Sequence, residues 1–204
     1  MLVRKLIVFV IVPYLLFRTI FGYRPADYGA QWAGLRALSG NHLLVVLVLG
    51  AATLLFQYFL GGAAAPVRRG ELRASQLAIG IPLCFAWLLV EVGLVEEFFF
   101  RALLQERLAA WFKSEITGVT LMALLFGLAH APGFILRHAG VEEAIGSSPS
   151  AADAIAYAIV VLSVGGIFFG IVWARTKNLF AVMFIHAATD LLPNLKEFVT
   201  VWRI

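Results

Sequence analysis

Apolar residues along this chain come in long runs separated by short polar stretches, the pattern of helices that cross a lipid bilayer. A crossing helix needs roughly 20 mostly apolar residues. Runs approaching that length occupy 6–20, 43–60, 77–95, 116–135, 154–173 and 179–192, the last ended by Pro193. Residues 96–112 follow the third run almost without a break and are read as a further crossing that returns through the bilayer. The pattern predicts an all-α, polytopic transmembrane helical bundle of about six to seven passes around a polar cavity. Arg4 and Lys5 ahead of the first run resemble the start of a signal peptide, but Arg18 and Tyr23-Arg24-Pro25 stand where a small-residue cleavage site would be, so a retained helix is expected. Loops are expected at 22–41, which holds an interfacial segment with Pro25 and Trp32, around Gly61, Gly62 and Pro66, and over 137–153. No internal repeat or low-complexity tract is present.

Composition sharpens this reading. The 204 residues are 62% hydrophobic and only 14% charged, with a mean hydropathy of +0.92. Soluble domains are about 45–50% apolar and about 25% charged. The length suits one integral membrane domain over 1–204, with generic N-terminal helices in 1–60 and a core in 77–193. The lone Cys84 sits in an apolar run, where it packs and cannot form an intrachain disulfide.

The formal net charge is +4. The basic residues fall mostly in short loops, as topology signals and contacts for anionic membrane lipid. No Cys/His finger, phosphate-cradling Gly loop or aromatic-interleaved basic helix is present, so nucleic acid is not an expected partner. With a cytoplasmic N-terminus and 96–112 crossing back, Arg4, Lys5, Arg68, Arg69, Arg73, Arg107, Lys113, Arg175 and Lys177 all lie inside and the acidic 137–153 loop lies outside.

The chemistry lies in polar residues placed where lipid should forbid them, since an ionisable group at a span centre costs about 2.5–3.5 kcal/mol on insertion scales. Three such places stand out. In Glu96-Glu97-Phe98-Phe99-Phe100-Arg101, Glu97 and Arg101 are four apart and share a helix face, while Glu96 projects about 100° away. Arg101 then neutralises Glu97 and leaves Glu96, among phenyl rings that raise its pKa, to act as a base. A structural salt bridge accounts equally well for Glu97 and Arg101 but not for the adjacent Glu96. Second, His130 closes Phe126-Gly127-Leu128-Ala129-His130, where a backbone-bonded membrane histidine is the plain alternative. Third, His186 and Asp190 lie one turn apart, so that Asp190 holds the imidazole tautomer, or both ligate a metal or bind a substrate group, or the two simply pair locally.

These residues resemble the motifs of the CPBP intramembrane proteases, the CAAX protease and bacteriocin-processing group also called Abi. Its pattern is E-E-x-x-x-R, then F-x-x-x-H, then H-x-x-x-N on successive helices. Glu96, Glu97 and Arg101 match the first, Phe126 and His130 the second, and His186 opens the third. The resemblance covers 77–193. It departs at Asp190, where Asn is usual: an ionised Asp only accepts hydrogen bonds, so Asp190 either is protonated or orients His186.

The resemblance implies an intramembrane endopeptidase of a prokaryotic cytoplasmic membrane, acting on membrane-associated or prenylated peptides. In that reading Glu96 activates a water with help from His130, Glu97 and Arg101 fix the helix, and His186 stabilises the oxyanion with Asp190 behind it. A metalloprotease stays open, with a divalent metal such as zinc on Glu96, His130 and His186. Two other classes compete: a non-catalytic scaffold or immunity protein of the same family, and a proton-coupled transporter using the same carboxylates and imidazoles.

Overall fold

The computed structural model describes residues 2–30, 41–137 and 150–204, and every regular element among them is helical. Six long helices are found among the described residues. They are α1 (2–21, with a π-helical middle at Ile7–Ile11), α2 (Asn41–Leu60), α3 (Ala74–Phe112), α4 (Glu115–Arg137), α5 (Ala151–Thr176) and α6 (Leu179–Val201). Short helical turns occupy Pro25–Tyr28 and 62–68. Four stretches are long and apolar enough to cross a membrane: Leu43–Leu60, Ala74–Phe112, Glu115–Leu136 and Ala151–Thr176. The remaining two long helices are more polar, α1 through Arg4, Lys5 and Arg18, and α6 through His186, Asp190, Asn194 and Lys196.

Two sequence expectations change here. Residues 96–112 are not a separate returning pass, because α3 continues through Val95 and Glu96 with no turn. No proline stands near that junction to break it. The helix instead loosens into π-helical turns at Leu89–Leu94 and Glu97–Gln105. Nor does Pro193 end the last helix, which runs on to Val201. A helical proline strips the carbonyl four residues back of its donor. Polar side chains on the same stretch supply other bonds, Asn194 Nδ2 to the Asp190 carbonyl at 2.8 Å and Thr189 Oγ1 to the Ile185 carbonyl at 2.9 Å, one way membrane helices tolerate proline. The expected 137–153 loop lies largely outside the described residues, as does Trp32.

The chain divides into two compact units, one comprising the residues up to Phe98 with Asn178–Ile204, the other Phe99–Lys177. In the first, α3 and α6 share a core in which Cys84, Leu88 and Val92 meet Ala187, Leu191, Leu195 and Val199. Both rows repeat every four residues, the spacing that interlocks helix ridges and grooves. Close approach is needed at Gly93, where a Cβ would lie 3.0 Å from the Met183 carbonyl oxygen. Outward-facing Leu44, Val48, Leu55 and Phe59 leave α2 apolar on its exposed side, as a lipid-facing helix must be. Its last carbonyls are capped by Arg68, whose Nη1 donates to Tyr58 O at 2.6 Å and Gly61 O at 2.8 Å.

In the second unit the backbones approach at glycines. A Cβ on Gly127 would stand 2.3 Å from both the Ala158 carbonyl oxygen and Ser163 Oγ, and one on Gly166 would stand 3.0 Å from Ala123 Cα. Phe100, Met122 and Phe126 form a buried hydrophobic cluster in it. Lys177 ends α5 in the left-handed region at φ 46°, and its ammonium lies 2.5 Å from Glu106 and 3.1 Å from Glu115. The buried Trp173 indole also donates to Glu106, at 2.7 Å. One carboxylate thus ties the end of α3 to the end of α5.

Candidate active site

The first unit contains the Glu96-Glu97 pair, His186 and Asp190. The paired glutamates differ sharply: Glu97 is 0% exposed, while Glu96 is half-buried. His186, also buried, places its Nδ1 2.6 Å from Glu97 Oε1. Helices α3 and α6 bring these groups together, 89 residues apart in sequence. Such a length is that of a charge-assisted hydrogen bond. An ionised carboxylate only accepts, so Nδ1 carries the proton and Nε2 is the imidazole's other face. That Nε2 lies 3.8 Å from Asp190 Oδ2, beyond direct hydrogen-bond reach. Asp190 is about a third exposed, with 32% side-chain accessibility.

It is Glu97, then, whose carboxylate meets His186. Glu97–Gln105 is π-helical. Such π-turns are frequent at functional sites.

Arg101 and His130 belong to the second unit. Arg101 is fully buried, its guanidinium carbon 4.5 Å from the centroid of Phe126 and 5.9 Å from that of Phe169, within cation–π range. His130 Nδ1 lies 2.8 Å from the Phe126 carbonyl oxygen. That oxygen can only accept, so Nδ1 is the donor and Nε2 the acceptor of the neutral ring. The ring packs 4.8 Å from Phe126 and 6.4 Å from Phe134. The backbone-bonded histidine expected as the plain alternative is therefore present, and this same bond sets the tautomer a proton acceptor needs. Phe126 is shared by both polar residues, which explains the Phe in the F-x-x-x-H spacing.

Among the described residues, no three His, Cys, Asp or Glu side chains converge closely enough to hold a metal ion.

Sequence reasoning missed two features of the first unit. Glu91, inside an apolar run, pairs with Lys5 of α1; a lone carboxylate in a span was the signal for it. Tyr28, on the turn after α1, is 1% exposed and packs against Phe98 with the rings tilted and their centroids 5.0 Å apart. Nothing local in the sequence marks that contact.

A helical chain with long apolar spans and a carboxylate–imidazole pair buried between two of its helices defines an integral membrane protein. The type II CAAX prenyl endopeptidase Rce1-like family model matches residues 78–192. The chain belongs to that family, a family of proteases, in keeping with the resemblance carried by the three motifs. All six candidate residues lie within the matched segment. No curated protein and no solved structure matches the chain.

Proposed function

We propose that this protein is an intramembrane endopeptidase that cleaves membrane-associated or prenylated peptides with a water activated by glutamate and histidine. One observation carries the reading: the buried 2.6 Å contact of Glu97 with His186, inside the segment matched by a CAAX endopeptidase family. Burying a carboxylate and an imidazole in an apolar helix pair costs several kcal/mol per charge unless they are paired, and a lipid-spanning fold gains nothing from them structurally that leucines would not supply.

In the proposed reaction Glu96, the more accessible glutamate, takes a proton from water as it attacks the scissile carbonyl, and later passes it to the leaving amine. Glu97 holds the proton on His186 Nδ1, so that an imidazolium Nε2–H faces the developing oxyanion. Asp190 stands 3.8 Å from that nitrogen, and its negative charge lies on the side where the imidazolium is formed. The part of His130 rests on its place in the motif alone: its Nε2 serves as a hydrogen-bond acceptor, not as a second base. Beyond the four apolar stretches, α1 and α6 are proposed to lie in the membrane as well, for six crossings.

The test is cleavage of a prenylated peptide and its unprenylated counterpart by the protein in liposomes. Wild type should cut the prenylated peptide, and Glu96→Ala and His186→Ala should each lose about 10²–10⁴ in turnover while remaining monodisperse. Full cleavage by Glu96→Ala would refute the reading. A biological effect that survives Glu96→Ala unaltered would favour the scaffold, for which Asp190 in place of Asn is the supporting observation.

A further inference from the structure

The residues ahead of the family match touch both helices of the carboxylate–imidazole pair. The turn Pro25–Tyr28 is closed by Arg24 N–H donating to Asp27 at 2.6 Å. From it, Tyr28 packs its ring 5.0 Å from Phe98, the residue after Glu97. The next residue, Gly29, accepts a hydrogen bond through its carbonyl from Leu179 N–H at 3.4 Å. Leu179 is the first residue of α6, the helix that carries His186. Gly29 reaches this position at φ 64°, a conformation that glycine adopts without strain. Tyr23 and Tyr14 brace Tyr28 from behind, with centroids at 5.7 and 5.9 Å. Lower on the same helix, Lys5 pairs with Glu91, so the segment holds α3 on both sides of Glu96.

We infer that residues 2–29 act as a strap that sets the Glu97–His186 contact, with Tyr28 as its positioning residue. The inference rests on the peptidase reading above. Tyr28 touches Phe98 on α3 while its neighbour holds the start of α6, so the strap fixes the register between the two helices. The ring, not the hydroxyl, does this. The Tyr28 hydroxyl is buried and has no hydrogen-bond partner among the described residues, so it contributes no bond to the strap, and a phenyl ring of the same shape serves as well.

Tyr28→Leu and Tyr28→Phe, with Phe98→Leu from the opposite side of the contact, test this in liposomes. Tyr28→Leu is expected to lower kcat about tenfold with KM within twofold, and Tyr28→Phe to restore kcat to within twofold of wild type. Modification of His186 by diethyl pyrocarbonate, followed by mass spectrometry, should accelerate severalfold in Tyr28→Leu and not in Tyr28→Phe. Should Tyr28→Leu fail to fold, Phe98→Leu carries the same two readouts. A leucine variant at wild-type kcat and wild-type His186 reactivity overturns the strap, as does a phenylalanine variant as impaired as the leucine one. If wild type cleaves no peptide but His186 reactivity still follows the ring, the strap stands and the peptidase reading falls.

Discussion

Two adjacent glutamates have different surroundings because successive helical positions face different ways. Glu97 is enclosed and engaged by His186, while Glu96 is half open. Glu97→Gln keeps the shape but loses the negative charge that favours an imidazolium. Its kcat on a prenylated peptide should fall by an order of 10²–10³ with KM little changed. A kcat within threefold of wild type would remove Glu97 from the mechanism. Asp190→Asn moves the other way. Asp190 stands 3.8 Å from His186 Nε2, and an amide there can donate to an oxyanion, which an ionised carboxylate cannot. Activity equal to or above wild type is expected, read in the same assay; a loss as large as that of Glu97→Gln would mean that the Asp190 charge itself is required.

At the scale of helices, small residues decide how close backbones come. Gly127, on the helix of His130, faces a carbonyl oxygen and a serine hydroxyl that its Cβ would meet at 2.3 Å, whereas Gly165 has nothing within 4 Å. Gly127→Ala should therefore destabilise by about 1–3 kcal/mol, and Gly165→Ala should stay within about 0.5 kcal/mol of wild type. Thermal unfolding in detergent compares the two; equal melting temperatures would contradict the tight crossing at Gly127. Helices of this kind were legible in the sequence because each is a run of apolar residues, and the runs 43–60, 116–135 and 154–173 lie within three residues of the helices Asn41–Leu60, Glu115–Arg137 and Ala151–Thr176. The motif residues were legible because ionisable groups in such runs are costly. What could not be read is tertiary or non-ideal. The π-turns of Glu97–Gln105 have no composition signal, and nothing near Glu97 in the sequence points to His186, 89 positions on. Pro193 reads as a stop, yet α6 continues past it. Tyr28 looks like an ordinary loop aromatic until Phe98, 70 positions on, is seen against it.

At the scale of the molecule, charges outside the spans link distant segments and make stability depend on pH. Glu71 is held below the usual glutamate range by hydrogen bonds from Lys196 first and Arg69 second, both at 2.7 Å. A depressed acid stabilises the fold above its unfolded value of 4.5 and loses that contribution as pH falls through its lower folded value. Wild type should thus out-melt Glu71→Gln at neutral pH, and the gap should close in acid below about pH 4.5; a gap that persists there would argue against the ion pairs. Burial pulls Lys177 down, but its bonds to Glu106 and Glu115 prevail and raise it above the ordinary 10.5. Its contribution is complete below 10.5 and lost as pH climbs through the raised value.

The Lys5–Glu91 pair also bears on how the chain is made. An acidic side chain entering lipid bare costs about 3 kcal/mol, yet Lys5 leaves the ribosome 86 residues ahead of Glu91. With α1 in the membrane, as proposed above, Lys5 would reach the bilayer before the segment bearing Glu91, and the chain would bring its own counterion. A nascent chain shorn of α1 would present that carboxylate unaccompanied, and its third helix would partition less efficiently out of the translocation pore.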